Sequence, residues 1–138
     1  MAEAGLLLDT HVWIWAVEGV ALSSRITRLI EQTRTREQVY VSAVSVREVV
    51  LLAERGRLTL TMPADAWVRQ ALRASGVFSL VLDPEVAALS ARLPGTPPRD
   101  PADQMLLASA MVYGLRLVTR DRAMIAYAES RGVKVREA

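Results

Sequence analysis

The 138-residue chain contains no cysteine, which excludes disulfides, thiolate zinc sites and thiol catalysis together. Its single histidine, His11, excludes a multi-histidine metal centre within one chain. Any metal would be held mainly by oxygen, the preference of magnesium and manganese. Lysine is almost missing as well: sixteen of the seventeen basic residues are arginine, and Lys134 is the exception. Arginine's planar fork suits phosphate, so the bias is compatible with nucleic acid; a GC-rich coding sequence accounts for it equally well. No apolar run approaches the roughly 20 residues of a membrane span, and no signal-peptide pattern opens the chain. A soluble cytoplasmic protein is therefore expected. What is present is a 51% hydrophobic and 23% charged composition, which argues against a disordered or fibrous chain. The length suits one domain over residues 1–138 with a single substantial core.

The most informative stretch is Leu6-Leu7-Leu8-Asp9-Thr10-His11. A short continuous apolar run fits a strand buried on both faces, as in the middle of a parallel sheet. Helical spacing begins after it, which puts Asp9 at the strand's carboxyl end, where ligands bind in open α/β sheets. A carboxylate there is costly unless something pairs with it, and a divalent cation is a natural candidate.

The pattern then alternates. Helices are expected from Thr10 to about Val17, stopped by Gly19, and from Ser23 or Ser24 onward, where Ile26, Leu29 and Ile30 form a stripe. Val39-Tyr40-Val41 reads as a second strand. Ser45-Val46-Arg47-Glu48 has the form of a capping box opening a helix to about Glu54. Pro63 and Asp65 start a helix bearing Trp67, Val68, Ala71 and Leu72, and Val77 to Leu82 is a third strand candidate. Asp83-Pro84-Glu85 opens a helix to about Leu93, residues 94–98 form a loop, and Asp100 to Asp103 begins a long helix ended by Gly114. Leu115 to Thr119, Asp121 to Ala128 and Val133 to Val135 complete the chain as strand, helix and strand. The expected fold is α/β, a three-layer α/β/α sandwich around a central, mostly parallel sheet.

Four acids fall at strand ends or helix starts on one sheet edge: Asp9, Glu48, Asp103 and Asp121, with Asp100 one turn before Asp103. Each of the last four has a structural reading too. Glu48 completes a capping box, Asp100 is a good N-cap before Pro101, Asp103 complements a helix dipole, and Asp121 caps the helix behind it. Asp9 alone has no such explanation. Clustered carboxylates repel one another unless a cation neutralises them, and such a metal suits phosphodiester hydrolysis. Arg47, Arg99, Arg120 and Arg122 flank the acids and are candidates for holding a phosphate backbone. His11, Trp13, Trp15 and Trp67 read more readily as packing residues than as substrate contacts.

With these residues laid out, the chain resembles the PIN-domain ribonucleases, specifically the VapC-type toxins of type II toxin–antitoxin pairs. The resemblance runs through Leu-Leu-Leu-Asp9-Thr10-His11-Val12-Trp13, Ser45-Val46-Arg47-Glu48-Val49, Arg99-Asp100-Pro101-Ala102-Asp103 through Ala108, and Leu117-Val118-Thr119-Arg120-Asp121. Arg47 and Ala102 stand where that family more often has an aromatic or aliphatic residue. The resemblance implies Mg2+- or Mn2+-dependent endonucleolytic cleavage of RNA. It implies Asp9, Glu48, Asp103 and Asp121 as the catalytic, metal-holding acids and Asp100 as a further ligand. Thr10, Arg99, Thr119 and Arg120 are then the candidates on the substrate side, Thr119 also as a polar support behind the acids. It further implies a homodimer and a VapB-type antitoxin whose tail docks on the early helices, with Trp13, Trp15, Leu51 and Leu52 as candidate contacts.

Other readings fit less well. A housekeeping PIN nuclease acting in RNA processing or on structured DNA shares the chemistry, but the small size counts against it. A catalytically silent PIN-fold binding module is opposed by retention of all four acids. A phospho-accepting regulatory domain needs an acidic pair on the first strand and a late lysine, and Asp9 stands alone with only Lys134 near the end. An Asp-x-Asp phosphatase fails because position 11 is histidine.

Overall fold

The computed structural model describes residues 3–74 and 76–138. Five parallel strands, β1 (Leu6–Leu8), β2 (Val39–Ser42), β3 (Val77–Leu80), β4 (Arg116–Thr119) and β5 (Val135–Glu137), form one sheet in the order β3-β2-β1-β4-β5. Seven helices connect them among the described residues: α1 (Thr10–Glu18), α2 (Ser24–Thr35), α3 (Ala43–Glu54), α4 (Ala64–Leu72), α5 (Pro84–Ser90), α6 (Pro101–Tyr113) and α7 (Arg122–Ser130). None of these helices is long and apolar enough to cross a membrane.

The three leucines of β1 explain the layering. Side chains alternate between sheet faces, so Leu6 and Leu8 enter one core with Val12, Trp13, Ile26, Ile30 and Trp67, while Leu7 enters a second with Leu106, Leu107, Met124 and Ala128. Helices α1–α4 therefore cover one face and α5–α7 the other. A strand buried on both faces has no polar side to show, which is why it reads as an unbroken apolar run. Trp13 lies edge-on to Trp67, ring centroids 5.1 Å apart, and so ties α1 to α4.

The sheet order also fixes where the site falls. Chain order proceeds outward from β1 through β2 to β3, then crosses to β4 on β1's other side. The change of direction between β1 and β4 leaves a crevice at their carboxyl ends. Asp9 follows β1 directly, and Asp121 follows β4 by two residues.

Several local expectations shift. The helix after β2 begins at Ala43 with Ser42 as its cap, the Ser42 hydroxyl accepting from the Val44 N–H at 3.0 Å. Ser45 and Glu48 thus form no capping box; strand and helix abut without a loop, and Glu48 falls in the second turn. β3 ends at Leu80, the α5 helix at Ser90, and the last strand occupies 135–137 because Leu117 of β4 pairs with Val135. Gly19 and Gly114 close α1 and α6 at φ +71° and +63°, a conformation open to glycine at little cost.

Candidate active site

Asp9, expected to have no structural reading, does have one: it is the N-cap of α1, its Oδ1 accepting from the Thr10 N–H at 2.8 Å. Its other oxygen accepts from the Thr119 hydroxyl at 2.6 Å. Thr119, buried at the end of β4, accepts in turn from the Asp121 N–H at 3.1 Å. One hydroxyl therefore joins the ends of two neighbouring strands and holds both acidic residues. On the other side, the buried Thr10 hydroxyl bonds Glu48 Oε1 at 2.5 Å and lies 2.9 Å from the Ser45 hydroxyl. A hydroxyl has one proton. The shorter contact, to a carboxylate, takes it, and Ser45 donates back.

Two threonines thus link Glu48, Asp9 and Asp121 into one hydrogen-bonded chain. Thr10 and Thr119, expected on the substrate side, lie beneath the acids with their hydroxyls committed to them. Ser45, expected as half of a capping box, is fully buried and completes the support of Glu48. The one outward signal of that role is a serine in a helix that must pack behind the polar Thr10.

Asp103 sits in the first turn of α6 behind Asp100. Asp100 is the N-cap, accepting from the Ala102 N–H at 2.9 Å, so its structural reading holds. The same is true of Asp121, which caps α7 through the Ala123 and Met124 N–H groups at 2.9 and 3.1 Å. Capping leaves one carboxylate oxygen of each free for other work.

Electrostatics unite the five acids. Burial pushes the Asp103 carboxyl up to about 7, reinforced by the charges of Asp100, Asp9, Asp121 and Glu48. Burial also raises Asp9, against the lowering effect of Thr119, Thr10 and His11, and Asp121 adds to the rise. Glu48 is raised by burial and by Asp9 and Asp100, with Thr10 and His11 opposing. In each case burial leads the rise and a neighbouring acid adds to it. None of the four ion pairs among the described residues involves these acids.

The donor set is all oxygen, which fits a hard dication such as Mg2+ or Mn2+. As the side chains stand, no three Asp, Glu or His residues among those described are gathered closely enough to hold an ion between them.

The flanking residues divide. Arg99 is exposed. Arg120 bonds the Ala21 carbonyl at 2.7 Å and the Ala138 O atom at 3.2 Å, and its guanidinium lies 4.3 Å from the Trp15 ring. It is a strut as well as a candidate contact. His11 is exposed rather than packed in the core, its ring tilted against Trp15 at 5.8 Å. Trp13 is 2% exposed and offers no surface to a partner.

The profile of the family described as PIN domain matches residues 6–130. Ribonuclease VapC22 from Mycobacterium tuberculosis (strain ATCC 25618 / H37Rv) is 37% identical over 131 residues, covering 94% of this chain and 97% of that protein. Among solved structures, DNA-bound VapBC from Salmonella typhimurium matches with a TM-score of 0.70 at 19% identity, over 98% of each chain. FitAcB from Neisseria gonorrhoeae matches with a TM-score of 0.66 at 24% identity, over 94% of this chain and 95% of that one. These two structural likenesses concern the fold alone.

Proposed function

The chain belongs to the PIN-domain family, among its VapC-type ribonucleases, and from that premise we propose that it is a metal-dependent endoribonuclease. It acts as the toxin of a toxin–antitoxin pair, in the cytoplasm. Asp9, Glu48, Asp103 and Asp121 would hold Mg2+ or Mn2+, with Asp100 contributing through the oxygen that its cap leaves free. The observation that carries this reading is the hydrogen-bonded chain that runs from Glu48 through Thr10, Asp9 and Thr119 to Asp121 at one crevice, with Asp103 within electrostatic reach of all three acids. A helix cap has no need of other acids beside it, whereas a dication would offset both the burial and the neighbouring charges that raise Asp9, Glu48 and Asp103.

When bound, the metal supplies a polarised phosphoryl oxygen and an activated water. This chain's own residues do the rest. Thr119 fixes the rotamer of Asp9, and Thr10 with Ser45 fixes Glu48, so two of the acids are oriented before substrate arrives. Asp103, protonated over much of the range below pH 7, is the acid whose charge state most depends on what else occupies the crevice. Arg99, exposed beside Asp100, would contact the RNA backbone.

A VapB-type antitoxin is the proposed partner, consistent with the VapBC and FitAcB neighbours, and a homodimer the proposed state. Of the candidate contacts, Trp15, Leu51 and Leu52 are partly accessible for such docking and Trp13 is not.

The test is cleavage of a mixed RNA pool by the purified protein with magnesium and then with chelator, sequencing the new ends. Cleavage that stops with chelator and is abolished in Asp9→Asn supports the proposal. Cleavage by a folded Asp9→Asn protein equal to wild type rejects it.

A further inference from the structure

A second charged feature adjoins the acids and is not used by them. An open cleft of about 650 Å3 lies between the α1–α2 connection and the end of the sheet, and Arg25, Arg120, Arg136 and Glu137 line it. Its one acidic side chain is already paired, Glu137 with Arg122 at 3.2 Å. Arg25 and Arg136 enter no ion pair among the described residues. Arg120 spends two of its five N–H groups on the Ala21 carbonyl and the Ala138 O atom. Those bonds join the two walls of the cleft and leave three donors. Three guanidinium groups line the cleft beside the paired Glu137 carboxylate and the Ala138 oxygen that Arg120 already bonds, so cationic groups are in excess and the cleft suits an anion.

Its position narrows the anion. Arg120 and Asp121 are consecutive, so their Cα atoms are about 3.8 Å apart, and the cleft lining starts one residue from an acid of the candidate site. A ladder connects the two. His11 lies within electrostatic reach of Asp9 and Glu48, Trp15 lies against His11, and Arg120 lies over Trp15. A lone small anion would need no such continuity, whereas a chain of phosphates would track it.

We propose that Arg25, Arg120 and Arg136 hold backbone phosphates of the single-stranded RNA on one side of the scissile bond. Arg120 is the strut that also shapes the groove. This rests on reading the acids as an RNA-cleaving centre, and it adds Arg25 and Arg136 to the substrate-binding surface.

The experiment measures binding of a fluorescein-labelled single-stranded RNA in EDTA, on an Asp9→Asn background, across a salt series. Arg25→Ala with Arg136→Ala is expected to bind several-fold more weakly at low salt. Its plot of log K against log salt should be shallower by about 1.4, because each phosphate of a single strand left without its arginine removes about 0.7 from the slope. Arg25→Lys with Arg136→Lys should recover the slope, because lysine still binds phosphate as a point charge. Melting curves check folding, and Arg25→Glu, at an exposed position, keeps the test open if the double variant unfolds. Unchanged affinity and slope in the folded variants overturn the proposal. Loss of binding to a poly-glutamate peptide with RNA binding intact also overturns it, assigning the cleft to an acidic peptide. Cleavage with magnesium is scored separately. Cleavage with an unaltered slope rejects the cleft alone, and an altered slope without any wild-type cleavage rejects the nuclease reading alone.

Discussion

Replacing Thr10 by valine keeps the shape of a buried side chain and removes one hydroxyl. That hydroxyl is the hydrogen-bond partner of Glu48 at 2.5 Å and of Ser45 at 2.9 Å. A hydrogen bond to a charged group contributes about 1.5–3 kcal/mol, and a buried hydroxyl left unpaired costs about 1–3 kcal/mol. Glu48 is only half-buried and turns to water when released, so the two losses do not add in full. A net destabilisation of about 2 kcal/mol is expected, which lowers Tm by about 4–8 °C in a chain of this size. The kinetic consequence separates two roles. If Thr10 touches RNA, KM rises; if it positions Glu48, kcat falls, by about 100-fold for a misplacement near 1 Å, with KM little changed. Steady-state cleavage of a labelled RNA with magnesium measures both. Thr10→Ser, which retains the hydroxyl, should restore kcat. A Thr10→Val protein with wild-type kcat, or one whose whole defect lies in KM, refutes the positioning role.

Other outcomes follow from the same geometry. Asp103→Ala should lose more cleavage activity than Asp100→Ala, whose main cost is its helix cap, about 1 kcal/mol read as a lower Tm; the reverse order in cleavage assays would exchange their roles. The metal-free protein should become less stable as pH rises from about 4 to 7. The folded Asp103 carboxyl, at about 7, binds its proton more tightly than the unfolded one at 3.8, so its favourable contribution is present at low pH and lost on ionisation. Thermal melts with EDTA across pH check this, and Asp103→Asn should flatten the trend. Trp67→Ala, which empties the edge contact with Trp13, should cost about 3–5 kcal/mol in urea unfolding.

What is legible in the sequence and what is hidden divide along a physical line. Leu6-Leu7-Leu8 gives itself away because both faces of β1 are buried and the run is too short for a buried helix before the pattern changes at Asp9. Asp100 and Asp121 are legible as caps because capping is decided within three residues. The start of α3 is not, since Ser42 and Ser45 are equally good caps locally. The choice is made by Thr10, 35 residues away, which engages Ser45 inside the fold. The adjacency of β1 and β4 is likewise invisible, because parallel pairing across more than a hundred residues leaves no local mark. With it goes the bridge from Thr119 to Asp9, and the buried, supporting place of both threonines. Arg120 reads as a free phosphate contact, yet two backbone oxygens distant in sequence turn it into a strut.

The most direct test is calorimetric titration of the metal-free protein with Mn2+ at pH 7, beside Asp103→Asn and Asp9→Asn. Saturable binding by wild type, with Tm rising on saturation (about 2.7 kcal/mol at a hundredfold excess over Kd), and its loss in both variants is the expected result. No binding by the folded wild-type chain, or equal binding by Asp9→Asn, would mean that these acids do not gather a cation at the sheet edge.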